Sequence, residues 1–127
     1  MAGVRLVLVE DNQVFRETLE LLLGLRGDLD VVGSVGSGSE AIEVCRELEP
    51  DVLLVDYRMP GLDGAQTTAE VLRASPATRV VCLTASVSKD EVEQLFAAGA
   101  VGCLTKDEDL DRIVEAIREA ASGAARV

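Results

Sequence analysis

The stretch Val52-Leu53-Leu54-Val55-Asp56-Tyr57-Arg58-Met59-Pro60-Gly61-Leu62-Asp63-Gly64 decides the fold. It opens on a short, unbroken apolar run that ends abruptly in a carboxylate. Alternation of apolar and polar residues marks a strand with one wet face, whereas an unbroken run marks a strand covered on both faces. The runs Val4–Val9, Val31–Val35, Val80–Leu83 and Val101–Leu104 are of the same Val-rich, nearly continuous kind.

Between these runs the apolar spacing becomes helical. Val14, Thr18, Leu21 and Leu25 make one stripe, and Ala41, Ile42, Cys45 and Leu48 a second. Ala65, Ala69 and Leu72 make a weaker third, and Val92, Leu95, Phe96 and Gly99 a fourth. Leu110, Ile113, Val114, Ile117 and Ala121 make the fifth. Ser37 with Glu40 and Ser88 with Glu91 have the spelling of capping boxes, and Gly99 and Gly123 stand where helices end on glycine. Strict alternation of strand and helix with short connections implies a doubly wound α/β fold. Its sheet is parallel and five-stranded, with helices on both faces.

At 127 residues the chain has the length of one domain. No apolar run approaches the roughly 18 residues of a membrane span, and the start MAGVRLVLVEDN has no signal-peptide pattern. A cytoplasmic location and no membrane partner are therefore expected. Cys45, Cys82 and Cys103 have no CxxC spacing and the chain has no His, which excludes zinc-site spacing and histidine-based triads. The cysteines read as small, reduced core residues. A net charge of −11 argues against direct nucleic-acid binding by this segment.

Ligands of open α/β sheets sit beyond the carboxyl ends of the strands. Glu10 and Asp11 follow the first run, Asp56 the third, Thr84 the fourth and Lys106 the fifth. Converging carboxylates repel each other unless a cation offsets them. Oxygen ligands without His or Cys favour a hard ion such as Mg²⁺. A carboxylate nucleophile, a metal, a Lys and a hydroxyl together describe phosphoryl transfer onto an Asp.

The fragments VLVEDN (7–12), VDYRMPGLDG (55–64), VVCLTAS (80–86) and GAVGCLTKD (99–107) resemble the receiver domains of bacterial two-component response regulators. GAVGCLTKD and the closing IVEAIREAASG are most similar to receivers of the NarL/LuxR type, which usually carry a C-terminal helix-turn-helix. The resemblance implies the flavodoxin-like (βα)5 fold with strand order 2-1-3-4-5. It implies that residues 1–121 form the receiver domain, with 122–127 a tail or the start of a linker. It implies Asp56 as phosphoacceptor, with Thr84 and Lys106 as the other catalytic residues. Mg²⁺ would be held by Asp11 and Asp56, by Glu10 through a bound water, and by the Arg58 backbone carbonyl. The implied partners are a histidine kinase, a second copy on activation, and DNA through a domain absent here. Such a chain catalyses its own phosphorylation and dephosphorylation. Stand-alone receivers and pseudo-receivers serving only as interaction modules share the fold, and are the alternative.

The sequence departs from the family in two places. Cys103 stands where Tyr or Phe is usual, so the aromatic half of the switch is missing. Asp107 stands where Pro often follows the Lys in a cis peptide; a non-proline cis bond costs about 3–4 kcal/mol, and the isomer is left open. Two other readings compete. Gly36-Ser37-Gly38-Ser39-Glu40-Ala41 approaches a dinucleotide-binding fingerprint, but follows the second strand rather than the first. A haloacid-dehalogenase-like phosphatase needs a second Asp where Arg58 stands.

Overall fold

The computed structural model describes residues 3–86 and 88–123. The elements in chain order are β1 (Val4–Val9), α1 (Gln13–Gly24), β2 (Leu29–Val35), α2 (Gly38–Leu48) and β3 (Val52–Val55). They continue with α3 (Gly64–Ala74), β4 (Arg79–Thr84), α4 (Lys89–Ala98), β5 (Gly102–Thr105) and α5 (Leu110–Ala121). All pairings are parallel, and the order across the sheet is β2-β1-β3-β4-β5. The chain therefore has the doubly wound five-stranded topology expected from its alternating pattern.

Successive strand residues point to opposite faces, and two cores follow. Leu6, Leu8, Leu54, Val81, Leu83 and Leu104 meet α1 and α5 through Leu19, Leu23, Ile113, Val114 and Ile117. Val7, Val9, Leu53, Val55, Val80 and Cys82 meet α2, α3 and α4 through Ala41, Cys45, Val71 and Leu95. The three inner strands are the most completely covered. Edge strand β5 alternates, with Gly102 and Leu104 buried and Cys103 and Thr105 half-buried. Edge strand β2 carries a register irregularity opposite Leu6 and Val7.

One helix turns a different face inward from the one its spacing implied. Val14 is 76% exposed, Leu21 66% and Leu25 73%, with Thr18 exposed beside them. The core face of α1 is Phe15, Leu19 and Leu23. Both sets have helical spacing, because Leu-Glu-Leu-Leu-Leu-Gly-Leu (19–25) is apolar on several sides. The N-cap starts this phase: the Asn12 side chain accepts from the Phe15 amide at 2.9 Å. In α3 the buried positions are Thr67, Thr68 and Val71, with Ala65 and Leu72 partly covered. A hydrogen bond from the Thr68 hydroxyl to the Gly64 carbonyl (2.7 Å) makes the burial of this side chain tolerable.

The Ser37 and Ser88 caps form as read, each accepting from the amide three residues on. Asp63 and Gln66 add a reciprocal capping box at the start of α3. Gly99 and Gly123 have φ of 114° and 78°. The Lys106–Asp107 peptide is trans, as are all peptides among the described residues. Ser122 follows α5 as its C-cap, and residues 124–127 of the expected tail lie outside the described residues.

Candidate functional site

The parallel sheet delivers four strand ends to one rim. Glu10 and Asp11 leave β1, Asp56 leaves β3, Thr84 closes β4 and Lys106 leaves β5. Carboxylate oxygens of Glu10, Asp11 and Asp56 lie within 4.8 Å of one another. Glu10 is only 5% exposed and Asp56 6%, while Asp11 stands in solvent.

Lys106 closes the cluster. Its Nζ is 2.6 Å from Glu10 Oε1 and 3.3 Å from Asp56 Oδ2. The same ammonium stands 4.7 Å from the centre of the Phe15 ring, a favourable cation–π arrangement. Glu10 also accepts from the Asn12 amide at 2.9 Å, and its carbonyl accepts from Arg16 Nη1 at 2.7 Å. Thr84, also buried, donates its hydroxyl to the Ser86 carbonyl at 3.1 Å.

The electrostatics follow from this crowding. Burial raises the Asp56 carboxyl above its ordinary value; Lys106 opposes the shift and Asp11 reinforces it. Burial raises Glu10 likewise, against the hydrogen bond from Lys106. For Lys106, burial works downward, but Glu10 and Asp56 outweigh it and the ammonium is held more firmly than usual. Two buried carboxylates sharing one ammonium leave a surplus of negative charge. The donor set, all oxygen with neither His nor Cys, fits a hard divalent cation.

Arg58 takes two directions. Its backbone works to lower the Asp56 carboxyl, while its exposed guanidinium sits 3.3 Å from Glu91 on α4. The Tyr57 hydroxyl donates to Gln94 Oε1, also on α4, at 2.8 Å. The loop after the acceptor candidate is thus tied to α4 by two side chains. Gly64 is required in that loop: a Cβ there would stand 2.7 Å from Tyr57 Cα.

The structure brings Glu10, Asp11, Asp56, Thr84 and Lys106 to this rim. It adds Phe15 and Arg16, which the reading of α1 had missed because it put another face inward. Tyr57 and Gln94 were also missed, since nothing in the local spelling ties two residues 37 positions apart. The glycine decoy has a packing explanation: a Cβ on Gly38 would lie 2.2 Å from Thr67 Oγ1, so this glycine lets α2 approach α3.

Residues 6–118 match the family described as "Response regulator receiver domain". The "Probable transcriptional regulatory protein NarL" of Mycobacterium tuberculosis (strain ATCC 25618 / H37Rv) is 41% identical over 94% of this chain and 56% of its own length. The "Transcriptional regulatory protein LnrK" of Bacillus subtilis (strain 168) is 36% identical over 94% of this chain and 54% of its own length. The chain therefore spans about half the length of these curated relatives. The solved receiver domain of the Mycobacterium tuberculosis NarL superposes with a TM-score of 0.91 at 40% identity, covering 97% of this chain and 99% of that one. A LuxR-family response regulator from Aurantimonas sp. SI85-9A1 gives 0.93 at 28% identity, with 99% and 90% covered.

Proposed function

This chain belongs to the response regulator receiver domain family, among regulators of the NarL/LuxR type, and from that premise we propose that Asp56 accepts a phosphoryl group from a histidine kinase. The observation that carries the reading is the convergence of Glu10, Asp11, Asp56 and Lys106 at the carboxyl edge of the sheet.

A carboxylate oxygen of Asp56 attacks the phosphorus of a phosphohistidine, and the phosphorus–nitrogen bond breaks as the imidazole leaves. Catalysis here consists of positioning and charge neutralisation. Burial of Asp56 at the rim limits the nucleophile to groups that enter along the sheet edge. Lys106, already bound to Asp56, remains beside it to pair with a phosphoryl oxygen. Thr84 gives up its bond to the Ser86 carbonyl and donates to another. Bound at this rim, Mg²⁺ would supply charge neutralisation for the entering phosphoryl group. Asp11 and Asp56 would hold it directly, Glu10 through water, and the Arg58 carbonyl would complete the protein's share.

Phosphorylation adds about −1.5 to −2 charges at the rim. The contacts from Tyr57 and Arg58 to α4 offer a route outward that does not need an aromatic residue at position 103. The output is DNA binding through a helix-turn-helix outside this chain, with homodimerisation on activation and a cytoplasmic location. The test compares wild type with Asp56→Asn after incubation with acetyl phosphate and Mg²⁺. Wild type is expected to gain one acid-stable, base-labile phosphate by intact-mass spectrometry and the variant none; equal labelling of both would overturn the assignment.

A further inference from the structure

Two of the three cysteines, separated by 21 positions in the chain, are neighbours in the sheet. Cys82 on β4 and Cys103 on β5 are direct register partners. Adjacent strands run about 4.7–4.9 Å apart, inside the Cα separation of about 4.4–6.8 Å that a disulfide bridges. Strand parity puts both side chains on one face. Leu83 and Leu104 belong to the core under α1 and α5, while Cys82 and Cys103 belong to the opposite one. As register partners on one face, the two thiols each perturb the other's ionisation.

The pair is also asymmetric in a useful way. Cys82 is fully buried, whereas Cys103 lies on the edge strand and is half-buried. The neighbouring Cys82 holds the Cys103 thiol below its ordinary range, against burial and the nearby Glu91. Its neighbour Cys103 and burial raise Cys82. Cys103, half-buried on the edge strand, is the thiol an oxidant reaches, and attack falls to it; the fully buried Cys82 resolves. Cys45 lies on α2, buried, with its thiol raised to about 11 by burial.

We propose that Cys82 and Cys103 form a dithiol redox site that a hydroperoxide converts to an intramolecular disulfide clamping β4 to β5. In the first step the Cys103 thiolate attacks the peroxide. A sulfur–oxygen bond forms, the oxygen–oxygen bond breaks, and the departing alkoxide or hydroxide takes up a proton. In the second step the Cys82 sulfur attacks the resulting sulfenic acid and water leaves, carrying the sulfenic oxygen and the thiol proton. Two thiols lose two electrons, and the peroxide gains them.

The closed ring runs from Cys82 to Cys103 and contains the whole of α4. It is anchored two residues before Thr84 and three before Lys106. Oxidation would tie together the two strand ends that carry those groups, at the position where the family usually places its aromatic switch. The role of the pair thus goes beyond the phosphoacceptor reading, and its chemistry does not depend on Asp56.

The experiment treats reduced protein with hydrogen peroxide, then alkylates it under denaturing conditions and digests it with trypsin. Wild type is expected to lose two hydrogen masses, to lose alkylation at two thiols, and to yield peptides 80–89 and 90–106 joined. Cys45 should stay alkylated, and dithiothreitol should restore the other two. Cys82→Ala should stop at a dimedone-reactive sulfenic acid on Cys103, and Cys103→Ala should leave Cys82 unoxidised at the same dose. Oxygen addition at Cys103 of wild type without the joined peptide would overturn the proposal. So would disulfides only between molecules, or no reaction at a dose that oxidises a free small-molecule thiol.

Discussion

Replacing Asp56 with Asn should make the cation-free domain more stable, although it removes the residue assigned as phosphoacceptor. Oxygens of Asp56 lie within 4.8 Å of those of Glu10 and of Asp11. At an effective dielectric of about 20, each such repulsion is worth roughly 3.5 kcal/mol or more. The attraction lost is that of Lys106 at 3.3 Å, roughly 5 kcal/mol on the same scale. Lys106 keeps its shorter bond to Glu10, and the neutral amide can still accept from the ammonium. The balance favours the variant by about 2 kcal/mol before counting the relief of burying one charge fewer. For a domain of this size that is roughly 6–10 °C in Tm.

The pH dependence has a definite sign. The folded carboxyls of Asp56 and Glu10 are raised above their ordinary values. The stabilisation that comes from protonating them is present below the unfolded pKa and is lost as pH rises through the folded one. The Asn variant lacks the Asp56 part, so its advantage should grow as pH rises from the ordinary carboxyl value through the raised folded one. Adding Mg²⁺ should stabilise wild type more than the variant and narrow the difference. The assay is thermal unfolding by circular dichroism in EDTA, across pH and then with Mg²⁺. A variant with Tm equal to or below wild type in EDTA at pH 7 would refute the claim that charge crowding dominates this site.

Removing Asp11, the exposed member of the cluster, should weaken Mg²⁺ binding by at least tenfold; unchanged affinity by titration calorimetry would contradict the ligand set. On α1, Leu23→Ala should cost about 2–5 kcal/mol in urea unfolding, whereas Leu21→Ala should stay within about 0.5 kcal/mol; the reverse order would mean the helix turns its other face inward. At a net charge of −11, residues 1–127 should show no measurable DNA binding at physiological salt; a specific, salt-sensitive gel shift would overturn that expectation.

The fold class and the grouping of the candidate site residues are legible in the amino-acid order alone. Short, Val-rich unbroken apolar runs such as Val52–Val55, bounded by polar residues, read as strands covered on both faces. In a parallel sheet every strand then ends on the same rim, so the residues following each run identify their own neighbours. Glu10, Asp11, Asp56, Thr84 and Lys106 therefore group together from the order of the chain alone. The spelling around them was specific enough to point to the family.

The tertiary structure decided what periodicity leaves degenerate and what chain separation hides. In α1 two faces carry the same helical spacing, and only docking against Leu6, Leu8 and Leu54 shows that Phe15, Leu19 and Leu23 are the buried set. Phe15 thereby comes under Lys106, a contact that the Val14 stripe does not reveal. Tyr57 and Gln94 meet because α4 packs against α3 and β5, beside the loop that follows β3. Cys82 and Cys103 face each other because β4 and β5 pair in this register; a one-residue slip would turn one thiol to the opposite core. Local pattern reports which residues are apolar and where chains turn. Which of two equivalent faces is covered, and which distant side chains share a register, is settled only when all the elements pack at once.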